Sequence, residues 1–142
     1  RFLERFDVYL HFAEGVAAMF RTYIALGAIN MLLSVALGAF GAHGLEGRIE
    51  PNLLSAYETG VQYHQIHALG LLAIAFAADR FRDAKLVSWA GRLIMLGIVL
   101  FSGSLYVMAL SGISILGAIT PFGGVSFLAG WACLAAAALK RK

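Results

Sequence analysis

Long apolar runs separated by short polar connections make up most of the chain. Four of them cover Thr22–Ala42, Thr59–Ala78, Ser88–Ser111 and Pro121–Leu139. None contains Asp, Glu or Lys, and Arg92 is their only Arg. A helix rises ~1.5 Å per residue, so about 20 such residues cross the ~30 Å hydrocarbon core of a bilayer. The pattern predicts an all-α polytopic membrane protein, a four-transmembrane-helix bundle with short connections and antiparallel neighbours.

The first 18 residues follow another pattern. Phe2, Leu3, Phe6, Tyr9, Leu10, Ala13, Val16 and Ala17 recur at steps of three and four, the helical period. Glu4, Arg5, Asp7, His11 and Glu14 fall mostly elsewhere on the wheel. One reading is an amphipathic helix in the headgroup plane, although Lys and Arg are scarce for that role. The other is an extension upstream of an ordinary start at Met19. Acidic residues and the lack of an unbroken apolar core do not match a secretory signal. The expected division is therefore 1–18 as a helical extension and 19–142 as the four-span domain.

Charge orients the spans. Arg21 precedes the first, Arg80, Arg82 and Lys85 lie between the second and third, and Lys140, Arg141 and Lys142 end the chain. The 45–58 connection carries Arg48 against Glu46, Glu50 and Glu58, and the 112–120 connection is uncharged. Basic residues collect on the cytoplasmic side. Both termini and the 79–87 connection are thus expected inside a multi-pass cytoplasmic (inner) membrane, with the other two connections outside.

Composition agrees. Of 142 residues, 61% are hydrophobic and 13% charged, against about 25% charged in soluble domains; mean hydropathy is +0.81. A soluble chain of this kind would expose aggregation-prone patches. The net charge of +3 flanks apolar segments, so nucleic acid is not an expected partner. The lone Cys133 reads as a packing residue.

Small residues recur at four-residue steps: Ser34, Gly38 and Ala42, with Gly41 beside them, on the first span; Ser126 with Gly130, and Ala129, Cys133 and Ala137, on the fourth. Such spacing lets helices approach closely in lipid. Ordinary contact inside the bundle and a specific dimer seam are the two readings. Pro51 marks a turn or a short helix before the second span, and Pro121 suits the first turn of the fourth. Tyr23, Tyr57, Tyr63, Trp89, Tyr106 and Trp131 include interfacial anchors near span ends. The uncharged stretch Gly112–Gly124 is expected to be re-entrant or tightly packed.

Polar residues within spans are the natural candidates for function. They are Asn30 and Ser34, then His43 just past the first span, and Glu58, Gln62, His64, Gln65 and His67 around the start of the second. Glu58, Gln62 and Gln65 share one helical face; His64 and His67 lie nearly opposite, with Tyr57 and Gly60. One face could pair with Asn30 or Ser34 and the other could meet His43. A His43–His64–His67 metal site is one candidate, and haem held by His43 with His64 or His67 is another. Histidines hydrogen-bonded in a wet interface are the simpler reading, under which no cofactor is expected. No activated nucleophile or phosphate loop is visible, so an enzyme is not expected.

Four blocks together resemble a known family. They are Leu37-Gly38-Ala39-Phe40-Gly41-Ala42-His43-Gly44-Leu45; Thr59–His64 with His67-Ala68-Leu69-Gly70; Leu100–Tyr106; and Leu116–Gly124. They are similar to domain of unknown function 423, a family of small membrane proteins, over about residues 19–142. The resemblance implies four spans in an inner membrane and supplies no catalytic residues. Three function classes follow: a structural or accessory bundle acting through helix contacts, including a homo-oligomer or larger membrane complex; a small transporter or channel with a polar path near Asn30 and His43; and a metal- or haem-binding subunit.

Overall fold

The computed structural model describes the backbone of residues 2–81 and 83–140, with side chains from Ala13 onward. The described chain is helical almost throughout. Helix α1 (Phe2–Phe40) runs into a π-helical turn at Gly41–Leu45. Helix α2 spans Pro51–Arg80, and α3 (Ala84–Gly97) continues through a second π turn, Ile98–Ser102, into α4 (Gly103–Ser111). A 3-10 turn at Ser114–Ala118 leads to α5 (Thr120–Leu139).

Local chemistry sets the ends. Pro51 opens α2 itself rather than a separate short helix, and Pro121 lies in the first turn of α5; a missing N–H costs nothing at either place. The Asp83 side chain accepts the Leu86 N–H at 2.9 Å and caps α3. Gly112, at φ 72°, ends α4 in the left-handed conformation that glycine adopts without strain. Helix α1 is continuous past residue 18. The amphipathic face expected for residues 1–18 depends largely on side chains 1–12, which lie outside the described residues.

Three helical segments are long and apolar enough to cross a membrane: Ala13–Leu45, Ala84–Ser111 and Ser114–Leu139. Helix α2 is long enough at 30 residues, but Gln62, His64, Gln65 and His67 dilute its apolar character. It is also the central helix. It packs along α1 on one side and against α3, α4 and the π turn between them on another, while α3 packs along α5.

The core is apolar at one end and mixed at the other. Tyr23, Leu71, Ile74, Val87, Ile94 and Phe127 belong to one cluster, and Leu45, Tyr57 and Ala109 to a second. Outside, the usual order is reversed: Leu32, Phe122 and Leu128 are 68%, 69% and 73% exposed, whereas Asn30 is 4% exposed and Ser34 and Ser102 are fully buried. Water would penalise that arrangement and hydrocarbon rewards it.

Glycine permits the closest contacts. A Cβ on Gly27 would lie 3.0 Å from the Ala68 carbonyl, and one on Gly130 3.2 Å from that of Ala90. Gly38 faces Val61 and Gly41 faces the Tyr57 ring, both across the α1–α2 seam, and Cys133 packs half-buried against the first cluster. Ala42 is exposed.

Within Gly112–Gly124 the Ser114–Ala118 turn buries none of its residues, while Gly123 is buried against the Phe101 backbone, so tight packing is confined to the start of α5. One sequence expectation fails here. Tyr23 and Tyr57 are core residues, at 7% and 0% exposure, because their hydroxyls reach the Ser88 and Leu37 carbonyls, at 3.1 and 2.8 Å. A satisfied phenol needs no interface.

Candidate functional site

Asn30 sits inside α1, where asparagine is a poor helix former unless its amide finds partners. Its Nδ2 donates to the Leu26 carbonyl at 2.8 Å and approaches Met95 Sδ of α3 at 3.5 Å. A carbonyl only accepts, so the nitrogen must face Leu26 and the oxygen must face away. Asn30 Oδ1 lies 3.0 Å from His64 Nε2. The imidazole therefore donates from Nε2, which leaves Nδ1 bare in the neutral ring. Tyr106 O–H donates to that Nδ1 at 3.1 Å. The result is a directed chain, Tyr106 to His64 to Asn30 to the Leu26 carbonyl, tying α4, α2 and α1 together.

A second tyrosine flanks the chain. The Tyr57 and Tyr106 rings have centroids 5.0 Å apart, and the Tyr57 ring fills the space a side chain at Gly41 would need, with Cε1 at 2.7 Å from such a Cβ. Ser102, in the π turn beside α2, has a buried Oγ with no partner among the described residues. Its carbonyl lies 3.4 Å from a Cβ built on Gly60, one turn from His64. Extra backbone in π turns is a common device at functional positions.

The other candidates separate. His67 donates from Nδ1 to the Tyr63 carbonyl at 2.7 Å and stacks on Phe127 of α5 at 3.4 Å between ring centroids. Ser34 donates to the Met31 carbonyl of its own helix at 2.9 Å and bridges nothing. Glu58 and Gln62 are exposed and Gln65 is half-buried beside Gly38. The histidine face, not the carboxylate and amide face, meets Asn30.

His43 is exposed at the π turn, away from the buried packing of His64 and His67. Among the described residues no group of three or more His, Cys, Asp or Glu could hold a metal ion. The His43–His64–His67 cation site is thus not formed. His64 directs both ring nitrogens, and His67 its Nδ1, to different internal partners, and His43 lies where α1 has unwound. Sequence reasoning missed Tyr106, Tyr57 and Met95 as members of the site. Tyr57 shares the His64 face on the helical wheel, which was a usable signal; Met95 had none.

Exterior leucines, a polar interior chain and membrane-length helices define a helical integral membrane protein. The chain belongs to the family described as "Protein of unknown function (DUF423)", whose model matches residues 37–124. It is 57% identical over 120 residues to the UPF0382 membrane protein YwdK of Bacillus subtilis, covering 84% of this chain and 98% of that protein. Similar figures relate it to UPF0382 membrane proteins of Staphylococcus epidermidis, at 48% over 120 residues, 84% and 97%, and Staphylococcus haemolyticus, at 49% over 114 residues, 80% and 92%. No solved structure matches.

Proposed function

We propose that this protein is a four-span inner-membrane bundle with cytoplasmic termini, acting through contacts with other membrane helices, a second copy included, rather than by catalysis or conduction. The observation that carries this is the use of α2's histidines inside the bundle. His64 is bonded at both nitrogens, and Asn30 is 4% exposed. A polar path near Asn30 and His43 would leave those groups facing water instead.

Helix α2 serves as the fourth crossing in this reading. Side-chain hydropathy penalises His64 and His67 as though they met lipid, but a group bonded to a neighbouring helix is tolerated at membrane depth. An even number of crossings is supported by one end of the bundle. There Lys140 pairs with Asp83, and Ala13, Val16 and Ala17 line a cavity with Ala78, Asp79 and Arg80.

Proteoliposomes loaded with a pH-sensitive dye test the role. Proton flux equal to that of protein-free vesicles is expected; a flux that His64→Leu abolishes would replace the accessory reading with transport. Topology is read by single cysteines in a Cys133→Ser background. Gly47→Cys should react with an impermeant maleimide on intact cells, and Ala84→Cys only after lysis. The reverse pattern, or equal labelling, overturns the orientation.

A further inference from the structure

We propose that the groove between α1 and α3, at the end of the bundle that carries Asp83 and Lys140, is a binding site for one anionic phospholipid. The inference rests on the membrane reading above.

Helix α1 packs along α2 and meets α3 sparsely, with Tyr23 wedged against Gly91 as the principal bridge. Beside that bridge lie two cavities of about 660 and 640 Å³. They are one continuous groove, because Met19, Ser88 and Arg92 line both. Its two ends differ in chemistry. Lys85, Ser88, Trp89 and Arg92 line the outer end, and Leu26, Met95, Leu96 and Val99 line the inner end.

Lys85, Trp89, Arg92, Leu96 and Val99 follow one another at steps of three and four, so they form a single stripe on α3. The Arg92 guanidinium lies 5.7 Å from the centroid of the Trp89 ring, which holds it at the groove rather than free in solvent. Trp89 is 55% exposed and marks interfacial depth. Leu96 and Val99 then lie ~10 and ~15 Å deeper along the helix, well inside the hydrocarbon. They are 48% and 58% exposed.

A cationic mouth leading to an apolar channel has the shape and polarity of a phosphate headgroup with an acyl chain. No carboxylate is among the described residues lining the groove, so the two cations are left for an external anion. Basic pockets between membrane helices are the usual seat of anionic headgroups. A soluble phosphate would satisfy Lys85 and Arg92 but would leave the apolar half unused.

The full chain is delipidated in detergent and offered phosphatidylglycerol or phosphatidylcholine, with retained lipid read by native mass spectrometry. One phosphatidylglycerol per chain is expected, retained in preference to phosphatidylcholine. Lys85→Gln with Arg92→Gln should weaken retention about fivefold per charge removed. Thr22→Trp keeps both charges, narrows the channel and should also lose the lipid, while Arg48→Gln at the opposite end should not. Size-exclusion profiles check that each variant folds. Should the glutamine pair misfold, Arg92→Lys, which keeps the charge, and Thr22→Trp still decide the matter: the first retains lipid and the second does not. Equal retention of the two lipids, full retention by the Lys85→Gln/Arg92→Gln pair or by Thr22→Trp, or displacement by millimolar inorganic phosphate overturns the site. Detergent exposes both ends of the bundle, so this result is independent of orientation, which the cysteine labelling reports separately.

Discussion

His64 Nε2 and Asn30 Oδ1 lie 3.0 Å apart, and that contact, between residues 34 positions apart in the chain, fixes both the histidine tautomer and the register of α2 on α1. Removing either partner leaves the other polar, buried and unpaired. Interhelical hydrogen bonds in membranes are worth about 1 kcal/mol, and an orphaned buried group costs about 1–3 kcal/mol. Asn30→Leu and His64→Leu should each destabilise the fold by about that amount, and the double variant by clearly less than their sum. Denaturant-detergent titrations of the four proteins measure this; strict additivity would show that the two side chains do not interact.

Tyr106→Phe removes only the hydroxyl that supplies His64 Nδ1. A loss of about 1 kcal/mol is expected, with little change when His64 is already Leu. In the variant, the bare Nδ1 should change its ¹⁵N chemical shift, whereas Nε2 should keep its proton. An unaltered imidazole spectrum would remove Tyr106 from the chain of bonds.

Gly41 and Tyr57 form a second dependency. A Cβ at Gly41 would meet Tyr57 Cε1 at 2.7 Å, so Gly41→Ala should overpack the seam by about 1–3 kcal/mol. Tyr57→Leu opens that space but loses the bond to the Leu37 carbonyl. In its background Gly41→Ala should therefore be milder. Thermal unfolding of the pair is the check, and equal penalties in both backgrounds would place the ring elsewhere.

The seam predictions rest on relationships that sequence conveys unevenly. Helix positions were legible because length, apolar runs and the prolines at 51 and 121 act locally. The division of α2 into two faces was legible too, since Glu58, Gln62 and Gln65 differ by about one and two helical turns. Which face meets α1 was not, because a wheel carries no information about neighbours. Tyr23 and Tyr57 were misjudged for a related reason: a tyrosine near a span end anchors at the interface unless a carbonyl on another helix receives its hydroxyl.

Asp83 supplies a pH-dependent contribution outside the spans. The hydrogen bond from Lys140, then that from the Leu86 N–H, holds its carboxyl below the ordinary aspartate range. A group depressed in the folded state stabilises above its unfolded pKa of about 3.9 and loses that contribution as pH falls through the lower folded value. Stability measured from about pH 5 downward should fall in the wild type. Asp83→Asn, which keeps a capping oxygen, should flatten that part of the profile. An unchanged slope in the variant would assign the acid sensitivity to other carboxylates.

By itself the sequence determined the solvent of this protein and its helical character. Those properties follow from side-chain transfer between water and hydrocarbon and from backbone bonds made within each helix. Only tertiary structure decided the fate of the polar residues. It directed His64 to Asn30 and Tyr106 and His67 to Phe127, and it left His43 outside. In lipid a polar side chain must take a partner from whichever helix lies against it, and neighbours come from packing the bundle as a whole.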